Sequence, residues 1–258
     1  MLRLHGVEVR PAHRGEFRVL VAARPAGLGQ LRGYLVADLL RRYAERAGLA
    51  PAVIDLRPAG EAGLRAACDR LNIHPPVHTL TEPFDAGQLA GQFPDGIREP
   101  VFDVGVRAAG ETAAALGPGV EGLAGHWIEV AGAAGGPATD GERVELGAEP
   151  LAVRMKLMRQ AYGAELTADL SPRAGADGDL ARWRQLVAGW ARSPSGAMSR
   201  QYADAITAAF TDGLDTPAAL RELDALADDA SVPDGVKFET FAAADRLVGL
   251  DLARDVGR

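Results

Sequence analysis

The stretch that most restricts the fold of this chain runs from Phe17 to Leu56. "FRVLVAA", Phe17–Ala23, is a short apolar run after a polar lead-in and reads as a buried strand. "RPAGLG" follows, a loop by its composition. From Leu31 to Ala47 the residues Leu31, Tyr34, Leu35, Ala37, Leu39, Leu40 and Tyr43 recur at helical spacing, with Arg41, Arg42, Glu45 and Arg46 on the polar side. "GLAPAVIDL" then brings a second strand, Ala52–Leu56. Strand, helix and strand in this order favour a parallel sheet with a crossover helix, and hence an α/β fold.

Further along, Glu61–Leu71 reads as a helix, Val77–Leu80 as a strand and Ala86–Gln92 as a short helix. Val101–Val106 and Trp127–Ala131 are strand candidates, and the Ala-rich segment Val106–Leu116 between them is expected to be helical. Ala131–Pro150 is dense in Gly, Ala and Pro and marks a boundary. Beyond it the pattern is helical throughout. Asp179, Ser199, Thr216 and Asp234 are candidate caps, and Tyr162, Trp183, Trp190, Phe210, Phe238 and Phe241 are expected to fill a helical core. The expected organisation is a reduced Rossmann-like α/β domain over 1–147 and a helical bundle over 148–258.

Composition narrows the function classes. The net charge of −7 gives no broad attraction for nucleic acid, and neither side of Gly147 is a basic module. Lys156 and Lys237 are the only lysines. Cys68 is the only cysteine, so no intrachain disulfide can form. There is no run of 18 apolar residues and no secretory-type leader pattern, so no membrane span is expected and the expected location is cytoplasmic.

Individual residues carry limited chemistry. Arg24 falls at the carboxyl end of the first strand, where open α/β sheets place ligands, and Arg32 on the first turn of the helix. "GLGQ", Gly27–Gln30, could bind an anion through backbone N–H groups, yet it matches neither GxGxxG nor GxxxxGK[ST]. His74 and His78 have the spacing of a metal-ligand pair, but Pro75 and Pro76 deny a regular helix, and no metal site is expected. Cys68 sits in an amphipathic helical pattern and reads as a packing residue. In "DGLDTPAAL", Asp215 or Thr216 is expected to cap a helix, with Pro217 in its first turn.

Several segments carry a family resemblance. "EPLAVRMKLMRQAYG", "LARWRQL", "FTDGLDTPAALRELDA" and "FAAADRLVGLDL" resemble the latter part of cysteinyl-tRNA synthetases and of the cysteine ligase of mycothiol biosynthesis. "GLGQLRGYLVADLLRRY" is similar to their segment around the HIGH motif, and "GHWIEVAG" to a substrate-pocket strand. The resemblance spans roughly 15–57 and 145–252. It implies a class I synthetase-like Rossmann domain with a parallel sheet, followed by an all-helical domain.

The same resemblance implies losses. Gly27, Leu28, Gly29 and Gln30 stand at the HIGH positions, so the two imidazoles that act on ATP are missing, while Gly29 keeps a close backbone approach. Ala23 and Val130 stand where the family has zinc-binding cysteines, so zinc is not expected. No KMSKS-like loop lies between Val130 and Glu149, and no anticodon-reading region is expected. The cofactor- or ligand-binding candidates are therefore Arg24, Gly27, Gly29, Gln30 and Arg32. Trp127 and Glu129, on one face of their strand, are the substrate-pocket candidates.

The expected function is that of a degenerate cysteinyl-tRNA synthetase-like protein without cysteine activation. It would bind a small molecule or nucleotide (ATP or another adenine nucleotide) or a protein partner, a second copy included. A divergent ligase or transferase using the old cleft, and a structural subunit of a complex, are the alternatives.

Overall fold

The structure, a computed structural model, describes residues 2–22, 28–57, 62–81, 101–111, 123–132, 146–167 and 178–258. Its strands are β1 (Leu2–Leu4), β2 (Val7–Val9), β3 (Glu16–Ala22), β4 (Ala50–Arg57), β5 (His78–Thr81), β6 (Val104–Ala108) and β7 (Trp127–Val130). Its helices are α1 (Leu28–Arg46), α2 (Ala62–Arg70), α3 (Pro150–Met158), α4 (Gly178–Trp190), α5 (Arg200–Thr211), α6 (Thr216–Asp228) and α7 (Asp234–Val248). The helix expected over 86–92 and residues 133–145 of the expected boundary lie outside the described residues.

Five strands form one sheet in the order β5-β4-β3-β6-β7, and every pairing in it is parallel. The apolar runs explain why: Val19, Leu20, Val21 and Ala22 are all buried, as a strand covered on both faces requires. Register assigns the faces. Val19 and Val21 align with Val53 and Asp55 on one side and with Val104 and Val106 on the other. The face they share is covered by α1, since the Tyr34 hydroxyl on α1 donates to Asp55 Oδ1 at 2.6 Å. Leu20, Ala22, Ile54, Leu56 and Leu80 form a core on the opposite face with Val101 and Phe102.

Two details of the sequence reading change. Strand β6 continues to Ala108, so the Ala-rich helix expected to begin at Val106 does not begin there; the β6–β7 pairing claims those residues. Arg42, expected on the polar side of α1, is buried, because Asp38 one turn earlier supplies its carboxylate: Arg42 Nε donates to Asp38 Oδ2 at 2.7 Å. Asp38 also binds the loop after α2, accepting from the His74 backbone N–H at 3.1 Å and lying 2.9 Å from His74 Nδ1. His74 is thus half of a buried carboxylate clamp, and Cys68 is buried nearby in α2.

The chain divides into two compact units. The sheet unit takes in Val7–Val144 and Tyr162–Thr167; the helical unit takes in Leu2–Gly6, Glu145–Ala161 and Ala168–Arg258. In the helical unit Phe241 packs edge-on against Trp183 and Trp190, at centroid distances of 5.5 and 5.2 Å. Phe210 is fully buried and Phe238 half-buried, whereas Tyr162 belongs to the sheet unit. Lys237 is buried: its Nζ donates to the Ala227 carbonyl at 3.1 Å, at the carboxyl end of α6, and lies over the Trp190 ring.

The "DGLDTP" turn has a structural explanation. Gly213 and Leu214 both adopt positive φ, +86° and +53°, which turns the chain between α5 and α6. Asp215 caps α6 by accepting from the Ala218 backbone N–H at 2.8 Å. The Thr216 hydroxyl instead donates to the Met158 carbonyl at 2.8 Å, tying α6 to α3. Of the other expected caps, Ser199 stands at the N-cap of α5 without a side-chain capping bond, and Pro233 takes the N-cap of α7 ahead of Asp234.

Candidate functional site

Strand order reverses between β3 and β6: the chain leaves β3 through α1 toward β4, and β6 lies on the other side of β3. In open α/β sheets the crevice outside the carboxyl ends of the strands at such a switch point is where ligands bind. The residues that meet this end of the sheet are the first turn of α1, the ends of β6 and β7, and Ala131–Gly132.

Helix α1 enters very close to the chain leaving β7. A Cβ placed on Gly29 would lie 3.4 Å from the Cα of Gly132. Helix α1 and the chain leaving β7 therefore approach each other backbone to backbone at Gly29 and Gly132. Gln30 is buried one residue on. Arg24 and Gly27 lie outside the described residues.

Arg32 does not face solvent. It is 1% exposed, and its Nη1 donates to the carbonyls of Ala131 at 2.8 Å and Ala164 at 2.6 Å. Burial pushes its guanidinium down to about 10, so it stays a cation at neutral pH. Segment 162–167 runs beside the end of β7, where Ala131 N–H donates to the Tyr162 carbonyl and Leu166 N–H to the Gly132 carbonyl, each at 2.9 Å. Arg32 joins α1 to both sides of this arrangement. Burial also raises the Tyr162 phenol above its ordinary range.

On the other face of the sheet the structure brings Trp127 and Glu129 together with a residue the sequence did not single out, Arg107. Arg107 aligns with Glu129 across β6–β7 and with Ala22 across β6–β3. Its Nη2 donates to Glu129 Oε1 at 2.8 Å, and its guanidinium carbon lies 5.6 Å from the centroid of the Trp127 ring. Trp127 in turn lies over Gly105: a Cβ there would be 2.6 Å from Trp127 Cζ3 and closer still to Cε3. The signal that could have found Arg107 is its position, a lone cation near the end of the apolar strand "VGVRA".

Two other carboxylates in this unit are structural. Asp103 accepts from the backbone N–H groups of Ala12 at 2.6 Å and Arg18 at 2.7 Å. Asp55 holds Tyr34, as described. Among the described residues no group of three or more His, Cys, Asp or Glu side chains could hold a metal ion. Among them, too, no helix is long and apolar enough to cross a membrane.

Fold and site together define a Rossmann-like α/β domain with a parallel sheet, followed by helices. No protein-family model and no curated protein matches this chain.

Proposed function

We propose that this protein is a degenerate relative of the cysteinyl-tRNA synthetases and the mycothiol cysteine ligase that has lost cysteine activation and binds a small molecule or nucleotide at the carboxyl end of its sheet. One observation supports the reading: the start of α1 meets the chain leaving β7 backbone to backbone, Gly29 against Gly132, while Arg32 is engaged by the carbonyls of Ala131 and Ala164. Forming an adenylate requires charge compensation along a triphosphate. Gln30 carries a neutral amide and no charge, and Arg32 is already committed to the protein's own backbone. A nucleotide of low charge fits this entrance better than ATP held for reaction. Among the described residues, those that would contact it are Gly29 and Gln30, with Ala131 and Gly132 opposite.

Isothermal titration with AMP, ATP and a cysteinyl-adenylate analogue tests the reading. The expected result is saturable AMP binding that is at least as tight as that of ATP, with no cysteine-dependent pyrophosphate exchange. Tight binding of the cysteinyl-adenylate analogue together with cysteine-dependent exchange would overturn the loss of activation. Absence of binding by either nucleotide would overturn the nucleotide reading.

A further inference from the structure

We propose that Arg107 is the anchor for the carboxylate group of a small-molecule ligand, with Glu129 as the counter-ion that this carboxylate displaces. The inference rests on the reading that the carboxyl end of the sheet binds a small molecule, and it names a residue and a ligand group that reading does not supply. Arg107 stands one residue from the end of β6, directly beside Ala22, the last residue of β3. It therefore borders the switch point between the two strands.

The side chain is held ready for a planar anion. Trp127 lies against the sheet because Gly105 has no Cβ, and the guanidinium rests over that ring. Glu129 takes only the Nη2 donor, at 2.8 Å, while the neighbouring Nε is buried without an acceptor among the described residues. A carboxylate bound bidentately uses Nε and Nη2 as a pair, so it satisfies a donor that Glu129 leaves unmet. Glu129 is the more exposed partner, its side chain 46% exposed against 20% for Arg107, so a displaced Glu129 carboxylate is rehydrated while the guanidinium keeps an anion. A phosphate monoester carries close to two charges, more than this single guanidinium compensates, whereas a carboxylate carries one.

The test follows the Arg107 Nε–H resonance in an NMR titration of the full chain, using propionate and, separately, inorganic phosphate at matched ionic strength. Propionate is expected to shift the resonance saturably and phosphate to shift it far less. In Arg107→Lys, which keeps the charge and loses the fork, the propionate dissociation constant, followed on the Trp127 indole resonance, is expected to rise about tenfold or more. In Glu129→Gln, which removes the competitor, it is expected to fall about two- to fivefold, a gain that misfolding cannot produce. Three results would overturn the proposal: no saturable shift with propionate, an equal response to phosphate, or unchanged affinity in Arg107→Lys. Titration of AMP followed at the Gly29 amide reports separately on the nucleotide reading, so either can fail while the other stands.

Discussion

Trp127 of β7 occupies the space that a side chain on Gly105 of β6 would need, the two residues being directly paired across the sheet. The ring carbons Cε3, Cζ3 and Cδ2 would all meet an added Cβ. Gly105→Ala is therefore expected to destabilise the protein by about 1–3 kcal/mol, as overpacking against a rigid ring does. In a Trp127→Leu background the same change is expected to cost under about 1 kcal/mol, because the obstructing ring is gone. Urea unfolding of the four variants checks this coupling, and equal costs in both backgrounds would refute it.

Asp38 is the next test of what holds the sheet unit together. It is fully buried, with Arg42 on one oxygen and the His74 ring and backbone N–H on the other. Asp38→Ala leaves a buried guanidinium without its carboxylate and is expected to cost about 3–5 kcal/mol. His74→Ala removes a partner whose side chain is 40% exposed, so its cost is expected to stay below about 1 kcal/mol. Chemical denaturation midpoints of the two variants, compared side by side, decide whether the clamp works through Asp38.

The two clusters differ in how far they could be read in advance. Asp38 and Arg42 lie one helical turn apart, so their pairing was available from spacing alone, but arginine's usual exposure argued for the polar side. The Arg107–Glu129 contact spans 22 positions and exists only through the β6–β7 register, which periodicity does not supply. Helix α1 was legible because its apolar residues follow one period over many positions, and strands β3 and β4 because each is a largely apolar run. Strands β1 and β2, three residues each, are too short to show a period. An Ala-rich stretch is a weak guide for the opposite reason. Helix propensity drew Val106–Ala108 toward a helix, and sheet pairing overrode it.

The "DGLDTP" turn yields a graded set of effects rather than a loss of activity. Asp215→Ala removes the cap of α6 and is expected to cost about 1 kcal/mol. Thr216→Val removes a buried donor while keeping its shape, and leaves the Met158 carbonyl unpaired by it, for about 1–2 kcal/mol. Asp212 is exposed, and Asp212→Ala is expected to stay within about 0.5 kcal/mol. Thermal unfolding that ranks Asp212 above the other two would contradict this structural account.

Tyr202 and Asp229 should couple only over a middle range of pH. The Ser231 hydroxyl and backbone N–H, and then the Tyr202 hydroxyl at 2.9 Å, hold the Asp229 carboxyl below its ordinary range. Its hydrogen bond to Asp229, with burial and the nearby charges of Asp229 and Glu222, raises the Tyr202 phenol. A depressed carboxyl contributes stability that is present above its unfolded value, about 4, and is lost as pH falls through its lower folded value. A raised phenol contributes stability that is present below about 10 and is lost as pH rises through its higher folded value. A double-mutant cycle of Tyr202→Phe and Asp229→Asn should therefore show coupling at neutral pH that shrinks below about pH 4 and again above about pH 10. Coupling that is constant across this range would exclude the assignment.

The return of Tyr162–Thr167 to the sheet unit, after α3 has joined the helical one, bears on how the protein is made. During synthesis β3 to β7 are complete before the stretch that hydrogen-bonds Ala131 and Gly132 and accepts from Arg32 has been added. Ala131 and Gly132, just past β7, cannot complete these hydrogen bonds before α3 has been synthesised. Maturation of the first unit during translation thus waits for a piece of chain that arrives only after the second has begun.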